Sequence, residues 1–358
     1  MSVGKVSISD FRNLKSADIE PKRGLNFILG PNGSGKTSLL EALYLLSRGR
    51  SFRTQNTKRL IRIGADSMSL HASVEGDDFH ATESIDAVCG SRDGRLLFKV
   101  SDRRIERATD LSRVLPVVLL HQDSHLLISS GPKYRRHFLD IGVFHVKHEY
   151  GAVWQYYKRA LHQRNAALRS GQSKIGAWDK ALSESAVQLD VFRREYMEAL
   201  GKQMAILVPE LIDIEGQVSV SYKRGWGEDE NLSETLMRCR ERDQSLGYTR
   251  DGPHRAEIQV RVEGQPVKDF LSRGQQKMLV YSMFFAQAET LSEFTSERAL
   301  ILADDLSAEI DERGMERLVS VMRRICDQAV ITKQLYVPTD GWEKDTLFHV
   351  KQGKVYSA

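Results

Sequence analysis

Residues 30–37 (GPNGSGKT) constrain this chain more than any other stretch, because they fit the pattern GxxxxGK[ST] at every required position. The preceding LNFILG is typical of a buried strand, and the following segment places Leu39, Leu40, Leu43 and Leu46 on one helical stripe. Glycines let backbone amides converge on phosphate oxygens, and a helix N-terminus adds donors and partial positive charge. The segment therefore predicts a phosphate loop between a strand and a helix.

Within this loop, two side chains have specific predicted roles. Lys36 is expected to reach the β- and γ-phosphates of a nucleotide, and Thr37 is expected to bind Mg²⁺ through its hydroxyl. A glycine-rich turn without a ligand is the alternative explanation.

A second segment, residues 299–305 (ALILADD), has the composition of a strand that is apolar on both faces and ends in two carboxylates. Ligands of α/β sheets bind beyond the carboxyl ends of the strands, so this strand would deliver its acidic pair to the nucleotide. Asp304 is predicted to hold Mg²⁺, directly or through water, and Asp305 to orient or deprotonate the attacking water. Capping of a following helix is the alternative explanation for an acidic pair.

Residues 271–277 (LSRGQQK) precede a long apolar run and contain no nucleophile with a nearby base. A helix that starts near Ser272 directs its backbone amides, the serine hydroxyl and the Gly274 amide at an anion. Because the phosphate loop already surrounds a triphosphate, a second anion site is useful if it caps the γ-phosphate held by another subunit. Two copies would then enclose two nucleotides in an isologous dimer. A simple capped helix is the alternative.

Composition restricts the remaining possibilities. With 358 residues the chain is long enough for two domains or for one domain with a large insertion, and no run approaches the eighteen apolar residues of a transmembrane helix. The start, MSVGKVSISD, contains no apolar signal core, and Cys89, Cys239 and Cys326 lack CxxC spacing. We therefore expect a cytoplasmic protein with reduced thiols, no zinc site and no membrane partner.

Net charge is only +4 and does not by itself indicate a nucleic-acid partner, but basic residues cluster locally. Solvated surface explains any one cluster, whereas three in one chain favour a polyanion partner. The clusters are Arg92, Arg95, Lys99, Arg103, Arg104 and Arg107; Lys133, Arg135 and Arg136; and Lys158, Arg159, Arg164 and Arg169. The candidate DNA contacts taken from them are Lys133, Arg135, Arg136, Lys158 and Arg159.

Hydrophobic periodicity changes along the chain. Residues 67–105 are typical of short strands separated by turns, and the last part of the chain is α/β again, ending in a hairpin that turns at residues 352–353. Between them, helical spacing runs over residues 145–171 and 178–200, with Pro209 just beyond. Two helices of roughly 20–25 residues predict a helical hairpin or small bundle. They are too short for a long coiled-coil arm, and no strict heptad repeat persists along them.

The motifs resemble those of known ATPases. LSRGQQK resembles the signature motif of ABC-type ATPases, with Arg273 where transporters usually have glycine, and residues 304–311 (DDLSAEID) resemble their Walker B segment and D-loop, with Asp305 where glutamate is usual. Together with ISDFRNL, GPKYRRHFLD, RNAALR and DGPHRAEI, this signature resembles the RecF family of bacterial recombination mediators, in unchanged order over nearly the whole chain. Residues 337–345 carry little of the resemblance.

The resemblance implies an α/β fold, namely an ABC-type P-loop ATPase head with a mixed sheet and flanking helices. Such a head is similar to those of structural-maintenance-of-chromosomes proteins, but without a long coiled coil. We expect residues 1–118 and 268–358 to form the ATPase domain, lobe I. Residues 119–267 are expected to form an inserted helix-rich lobe II with DNA and dimer contacts.

The same resemblance implies ATP and Mg²⁺ as cofactors and assigns roles to individual residues. Expected catalytic residues are Lys36, Asp304, Asp305 and Gln122, the last at the place of a Q-loop glutamine, with Mg²⁺ at Thr37 and Asp304. Expected ATP contacts are Gly30, Pro31, Asn32, Gly33, Ser34, Gly35, Lys36, Thr37, Ser38 and Arg12, and expected contacts from the second subunit are Ser272, Arg273, Gly274 and Gln275. The usual switch histidine is absent, and Thr332 and Lys333 stand at its place.

Members of the family are understood to dimerise with ATP, to bind DNA at gaps and single-strand/double-strand junctions, and to act with RecO and RecR in loading RecA. The resemblance therefore implies an ATP-driven homodimer on single-stranded, duplex or gapped DNA, released by slow, DNA-stimulated hydrolysis, in the SOS response and replication restart. An energising subunit of a membrane transporter is one alternative, which the long basic insertion disfavours. A scaffold with a vestigial ATPase site is another, which the intact Lys36, Asp304 and Asp305 disfavour.

Overall fold

The computed structural model describes residues 1–76, 82–170, 175–306, 310–335 and 345–357, and the chain divides into two compact units. Unit 1 comprises Met1–Ser124, Glu210–Ile212 and Lys277–Ala358, and unit 2 comprises His125–Pro209 and Asp213–Gln276. These divisions lie later than the predicted boundaries at 118/119 and 267/268. Most of the signature segment, residues 271–276, consequently belongs to unit 2 and not to the unit that holds the phosphate loop.

Some sequence features lie outside the described residues. These are the D-loop positions 307–309, part of a predicted turn at 77–81, part of the connection between the two long helices at 171–174, and residues 336–344.

The described strands and helices alternate along the chain. The strands are β1 (Ser2–Phe11), β2 (Leu14–Ile19), β3 (Gly24–Leu29), β4 (Ser67–Glu75), β5 (Glu83–Gly90), β6 (Leu96–Val100), β7 (Arg103–Ile105), β8 (Val117–Leu120), β9 (Val218–Lys223), β10 (Glu257–Val262), β11 (Gln265–Pro266), β12 (Leu300–Asp304), β13 (Gln328–Lys333), β14 (Thr346–Lys351) and β15 (Lys354–Ser357). The helices are α1 (Lys36–Arg48), α2 (Ala108–Val114), α3 (Leu126–Ser129), α4 (Pro132–Val146), α5 (Tyr150–Ser170), α6 (Ile175–Leu211), α7 (Leu232–Arg238), α8 (Arg240–Leu246), α9 (Val267–Phe270), α10 (Arg273–Thr295) and α11 (Glu312–Ile325). Among them, none combines the length and the apolar character that a bilayer-crossing helix needs.

One sheet of unit 1 carries the nucleotide motifs. Its strand order is β15-β14-β3-β13-β12-β8, and neighbouring strands are parallel except in the β14–β15 hairpin. Strand β13 is buried along its whole length and β12 along all but its last residue, as expected for strands covered on both faces. The carboxyl ends of β3, β13, β12 and β8 therefore meet at one edge, which is where ligands bind in such sheets.

The second sheet of unit 1 is antiparallel, with the order β2-β1-β4-β5-β6-β7. Helix α1 contributes Leu39, Leu40, Leu43 and Leu46 to the same buried core as this sheet, which confirms the predicted helical stripe. The helix ends at Gly49, which adopts a left-handed conformation with φ of 64°. The core thus fixes α1, and with it the phosphate loop that precedes the helix.

Unit 2 contains the two long helices that the sequence predicts, but α6 is longer than expected. It has 37 residues and runs through Pro209, which was predicted to lie beyond its end. Proline so close to a helix end removes only one backbone hydrogen bond. Burial of Leu207, Val208 and Leu211 around it offsets that loss. The helical periodicity therefore predicted the helix but not its end.

One residue of the third basic cluster is not on the surface. The Arg164 side chain is fully buried, and its guanidinium pairs with Asp179 at 2.7 Å and with Asp243 at 2.8 Å. It also donates to the Thr249 hydroxyl at 2.7 Å. Its assignment to a solvated or DNA-facing stripe is therefore wrong. Arg164 lies on the stripe that buries Tyr157 and Leu168, and this spacing was the sequence signal of its burial.

His254 gives unit 2 a predicted dependence on pH. Its Nε2 lies 3.0 Å from the Thr249 carbonyl oxygen, which can only accept, so Nε2 carries the proton and Nδ1 accepts from the Tyr157 hydroxyl at 2.6 Å. Burial lowers the pKa of His254 to about 4. In the unfolded chain the imidazole titrates near 6.5. The unfolded state therefore binds more protons between these values, and stability falls as pH falls from 6.5 to 4.

We expect the His254 contribution to unfolding free energy to decline by about 1.4 kcal/mol per pH unit in that window. Urea unfolding of the wild type and of His254→Gln between pH 7.5 and 4.5 measures it, with the difference in slope as the readout. Parallel pH profiles for the two proteins would contradict the assignment.

Candidate nucleotide site

The phosphate loop joins β3 to α1 with three glycines at positive φ: Gly30 at 156°, Gly33 at 79° and Gly35 at 118°. A Cβ on Gly30 would lie 2.3 Å from the Val350 carbonyl oxygen, and one on Gly35 would lie 2.7 Å from Leu14 Cδ2. Gly35 caps α1 without a side-chain hydrogen bond, and the first turn contains no acidic residue. The first-turn amides of α1 are therefore available to an anion.

Lys36 folds back over the loop. Its Nζ donates to the carbonyl oxygens of Gly30 at 2.7 Å and Pro31 at 3.0 Å. Burial lowers the pKa of Lys36, and the nearby carboxylates of Asp305 and Asp304 act in the opposite direction. The ammonium group is thus held at the loop between its carbonyls and the acidic pair, as a phosphate-binding lysine requires.

A buried hydroxyl in the loop supports a phosphate ligand. Ser34 is only 5% exposed, and its Oγ has no hydrogen-bond partner among the described residues. An unsatisfied buried hydroxyl is costly, and native structures contain few of them. This hydroxyl and the first-turn amides of α1, which have no side-chain cap, are suited to an anion with several acceptor oxygens.

Two hairpin turns hold the loop from outside. Asn13, in the β1–β2 turn, donates from Nδ2 to the Gly33 carbonyl at 3.0 Å and accepts from the Ser38 hydroxyl at 2.8 Å. Gly353, in the β14–β15 turn, donates its N–H to the Ser34 carbonyl at 3.0 Å. The turn at residues 352–353 was predicted, but the contacts of Asn13 and Gly353 with the loop were not. They join segments far apart in sequence, which periodicity does not report.

The predicted metal ligands lie together. Thr37 Oγ1 donates to Asp304 Oδ1 at 3.0 Å, and Thr332 Oγ1 donates to the same oxygen at 2.7 Å. Asp305 follows with φ of 47°, and its N–H donates to Thr332 Oγ1 at 3.0 Å. In the described part of the chain no group of three His, Cys, Asp or Glu side chains could form a metal cage. A hydroxyl with one carboxylate fits Mg²⁺, which keeps waters and phosphate oxygens among its ligands.

Arg12 and Gln122 lie on elements that border the loop or the same sheet edge. Arg12 forms a bidentate pair with the fully buried carboxylate of Glu41, through Nε at 2.9 Å and NH2 at 2.5 Å. It also donates to the Arg59 carbonyl at 2.9 Å. Gln122 begins a short 3₁₀ turn just after β8, at the carboxyl edge of the sheet. The expected ATP contact of Arg12 therefore competes with an existing ion pair.

The signature segment forms a capping box at the start of α10. The Ser272 N–H donates to Gln275 Oε1 at 3.0 Å, and the Gln275 N–H donates to Ser272 Oγ at 3.3 Å. Gln275 Nε2 also donates to the Asp213 carbonyl at 3.1 Å. Ser272 and Arg273 are exposed, whereas Gly274 is half-buried. In a single chain the segment is therefore a capped helix that presents its first residues to solvent.

The candidate DNA contacts divide into two groups. Lys133, Lys158 and Arg159 are exposed. Arg135 instead forms a bidentate pair with Glu257, at 2.7 and 3.0 Å, and also donates to two backbone carbonyls. Arg136 is half-buried and donates to the Ala256 carbonyl at 3.0 Å. Arg135 and Arg136 therefore have structural partners within the chain, whereas the two lysines and Arg159 are the accessible candidates.

Comparisons with known proteins identify the family of this chain. Residues 2–339 match the family model described as the RecF/RecN/SMC N-terminal domain. The DNA replication and repair protein RecF of Erwinia tasmaniensis is 37% identical over 361 residues, covering 99% of this chain and 98% of that protein. The protein of the same name from Vibrio campbellii is 36% identical over 360 residues, covering 99% and 100%. This chain belongs to the RecF family.

A solved structure extends the agreement to the fold. The structure of the recombination mediator protein RecF with ATP, in the RecFOR pathway, superimposes with a TM-score of 0.87 at 24% identity. The match covers 99% of this chain and 97% of that one. The predicted α/β fold of a RecF-type head is thus confirmed for this chain, and the part of the chain that the structure describes has no long coiled coil.

Proposed function

We propose that this chain is an ATP-dependent DNA-binding ATPase of recombinational repair. ATP joins two copies head to head on DNA, at gaps or single-strand/double-strand junctions, and slow hydrolysis releases them. The chain would act in the cytoplasm with RecO and RecR, assisting RecA loading in the SOS response and replication restart. The names of its relatives, which refer to replication, repair and the RecFOR pathway, support this assignment.

The observation that carries the proposal is the hydrogen bond between Thr37 and Asp304, beside a loop whose glycines leave backbone amides open. Lys36 and the amides of α1 would hold the triphosphate, and Thr37 with Asp304 would hold Mg²⁺. The metal would neutralise phosphate charge. Asp305 would then orient or deprotonate a water, and Gln122 borders the same sheet edge.

The exposed signature supports dimerisation. Ser272 and Arg273 belong to unit 2 and face solvent, so a second copy has access to them. The amides at the start of α10, the Ser272 hydroxyl and the Arg273 side chain would contact the γ-phosphate held by the partner. Gln275 would join them only by giving up its hydrogen bond to the Asp213 carbonyl. Since ADP lacks that group, the closed dimer would be favoured only with ATP.

Exposed basic residues of unit 2 would contact the DNA backbone. Lys133, Lys158 and Arg159 supply phosphate contacts that carry no sequence information, so affinity should fall as salt rises. Pairing of two copies would double this surface on one DNA molecule.

Filter binding on gapped, single-stranded and duplex DNA, each with ATP, ADP or no nucleotide, tests the proposal. We expect ATP to tighten binding at least about tenfold, most strongly on gapped DNA, with an affinity that declines steeply with salt. Gel filtration in the same nucleotides should show a dimer only with ATP. Equal DNA affinity and equal dimer content in all nucleotide states would contradict it.

A further inference from the structure

The Thr332 hydroxyl both donates and accepts a hydrogen bond, and both bonds are to the acidic pair. It lies on β13 directly opposite Asp304 of β12 and is fully buried. A backbone N–H can only donate, so Thr332 Oγ1 accepts from Asp305 N at 3.0 Å, and its own hydrogen goes to Asp304 Oδ1 at 2.7 Å. The direction of both hydrogen bonds is therefore fixed.

These bonds determine which oxygen of Asp304 remains available. Oδ1 accepts from two hydroxyls, Thr332 and Thr37, whereas Oδ2 accepts no hydrogen bond from any described residue. Two donors on one oxygen hold the carboxylate in a single orientation, with Oδ2 as the free acceptor. Asp304 Oδ2 would therefore be the oxygen that binds a cation, directly or through a water.

The second bond acts on Asp305. This residue has φ of 47°, a left-handed conformation that costs a non-glycine residue free energy. The N–H bond to Thr332 holds the backbone in that conformation at the point where the side chain of Asp305 leaves the strand. One hydroxyl thus constrains both carboxylates.

We propose that Thr332 is a positioning residue for the acidic pair: it orients Asp304 toward Mg²⁺ and sets the backbone from which Asp305 projects. This inference rests on the proposed ATPase function. Thr332 and Lys333 stand at the place of the usual switch histidine of ABC-type ATPases. The Thr332 hydroxyl, however, would act on the carboxylates of its own chain.

Three substitutions separate positioning from packing. Thr332→Val keeps the side-chain shape but removes the hydroxyl, and Thr332→Ser keeps the hydroxyl. Thr290→Val is the matched control, because Thr290 is also fully buried in unit 1 and donates only to a carbonyl of its own helix, Ala286, at 2.7 Å. Melting temperatures of all three establish that they fold.

The readout is the affinity for a fluorescent ATP analogue with EDTA and with Mg²⁺, together with ATP turnover. In EDTA all proteins should bind alike, since the phosphate loop is intact. With Mg²⁺ the wild type, Thr332→Ser and Thr290→Val should bind the analogue more tightly than in EDTA. For Thr332→Val, the increase in affinity that Mg²⁺ causes should be about tenfold smaller than for the wild type. Its ATP turnover should be about tenfold to a hundredfold slower.

Two results would overturn the positioning role. One is a Thr332→Val protein with a wild-type response to Mg²⁺ and wild-type turnover. The other is a Thr332→Ser protein as impaired as Thr332→Val, which indicates packing alone. A wild-type chain that binds no ATP would instead refute the proposed function, so the two failures are distinguishable.

Discussion

Replacing Lys36 by methionine should remove almost all ATP-dependent behaviour of this protein. The Lys36 ammonium group donates to the loop carbonyls of Gly30 and Pro31. Lys36 is the first residue of α1, directly after the loop. Removing one preorganised hydrogen-bond donor that stabilises charge in a transition state typically costs about 10²–10³-fold in turnover, and we expect a loss of at least that order here. Steady-state hydrolysis and binding of a fluorescent ATP analogue measure the effect.

The control for this variant is Lys15→Met. Lys15 lies on β2, is exposed and forms no ion pair with the described residues, so its loss should leave both measurements unchanged. ATP-dependent dimerisation should disappear with Lys36→Met and persist with Lys15→Met. A Lys36→Met protein that hydrolyses ATP at close to the wild-type rate would remove the phosphate loop from the mechanism.

Replacing Arg164 by methionine should cause the largest loss of stability. The guanidinium is a fully buried counterion of two carboxylates that are nearly or fully buried, Asp179 and Asp243. The substitution removes it and leaves Asp179 with Arg240 and Asp243 with Arg242, whose side chains are partly exposed. Breaking a buried ion pair from one side typically costs about 3–5 kcal/mol. Urea unfolding followed by tryptophan fluorescence suits this test, because three of the four tryptophans, Trp154, Trp178 and Trp226, belong to unit 2.

The same helix provides a matched control. Arg159 lies five positions earlier on α5 and is exposed, so Arg159→Met should change the unfolding free energy by no more than about 0.5 kcal/mol. If both variants unfold at the same urea concentration, the buried network does not stabilise unit 2 as the structure implies.

Local motifs were predictable from sequence because their chemistry is encoded in adjacent residues. The phosphate loop, the acidic strand end and the turn at residues 352–353 each combine a short pattern with a required backbone conformation. The capping of α10 by Ser272 was also foreseen, as the alternative to an anion site. These features required no knowledge of which strands are neighbours.

The supporting contacts were not predictable, because they depend on the order of strands in the sheet. Thr332 reaches Asp304 only because β13 lies beside β12, and Asn13 reaches Gly33 only because the β1–β2 turn lies against the loop. The ion pair of Arg135 on α4 was not predictable either, because its partner, Glu257 on β10, is distant in sequence. A run of basic residues predicts exposed side chains, except where an acidic residue distant in sequence forms an ion pair with one of them.

We propose that each nucleotide site is completed by two chains, and mixing two inactive variants tests this arrangement most directly. Lys36→Met lacks a working loop, and Ser272→Arg blocks the exposed signature, so neither should hydrolyse ATP alone. A mixed dimer retains one intact site, and equimolar mixing should restore up to about a quarter of wild-type turnover. Activity no higher than the sum of the separate proteins, or full activity of Ser272→Arg alone, would contradict the account.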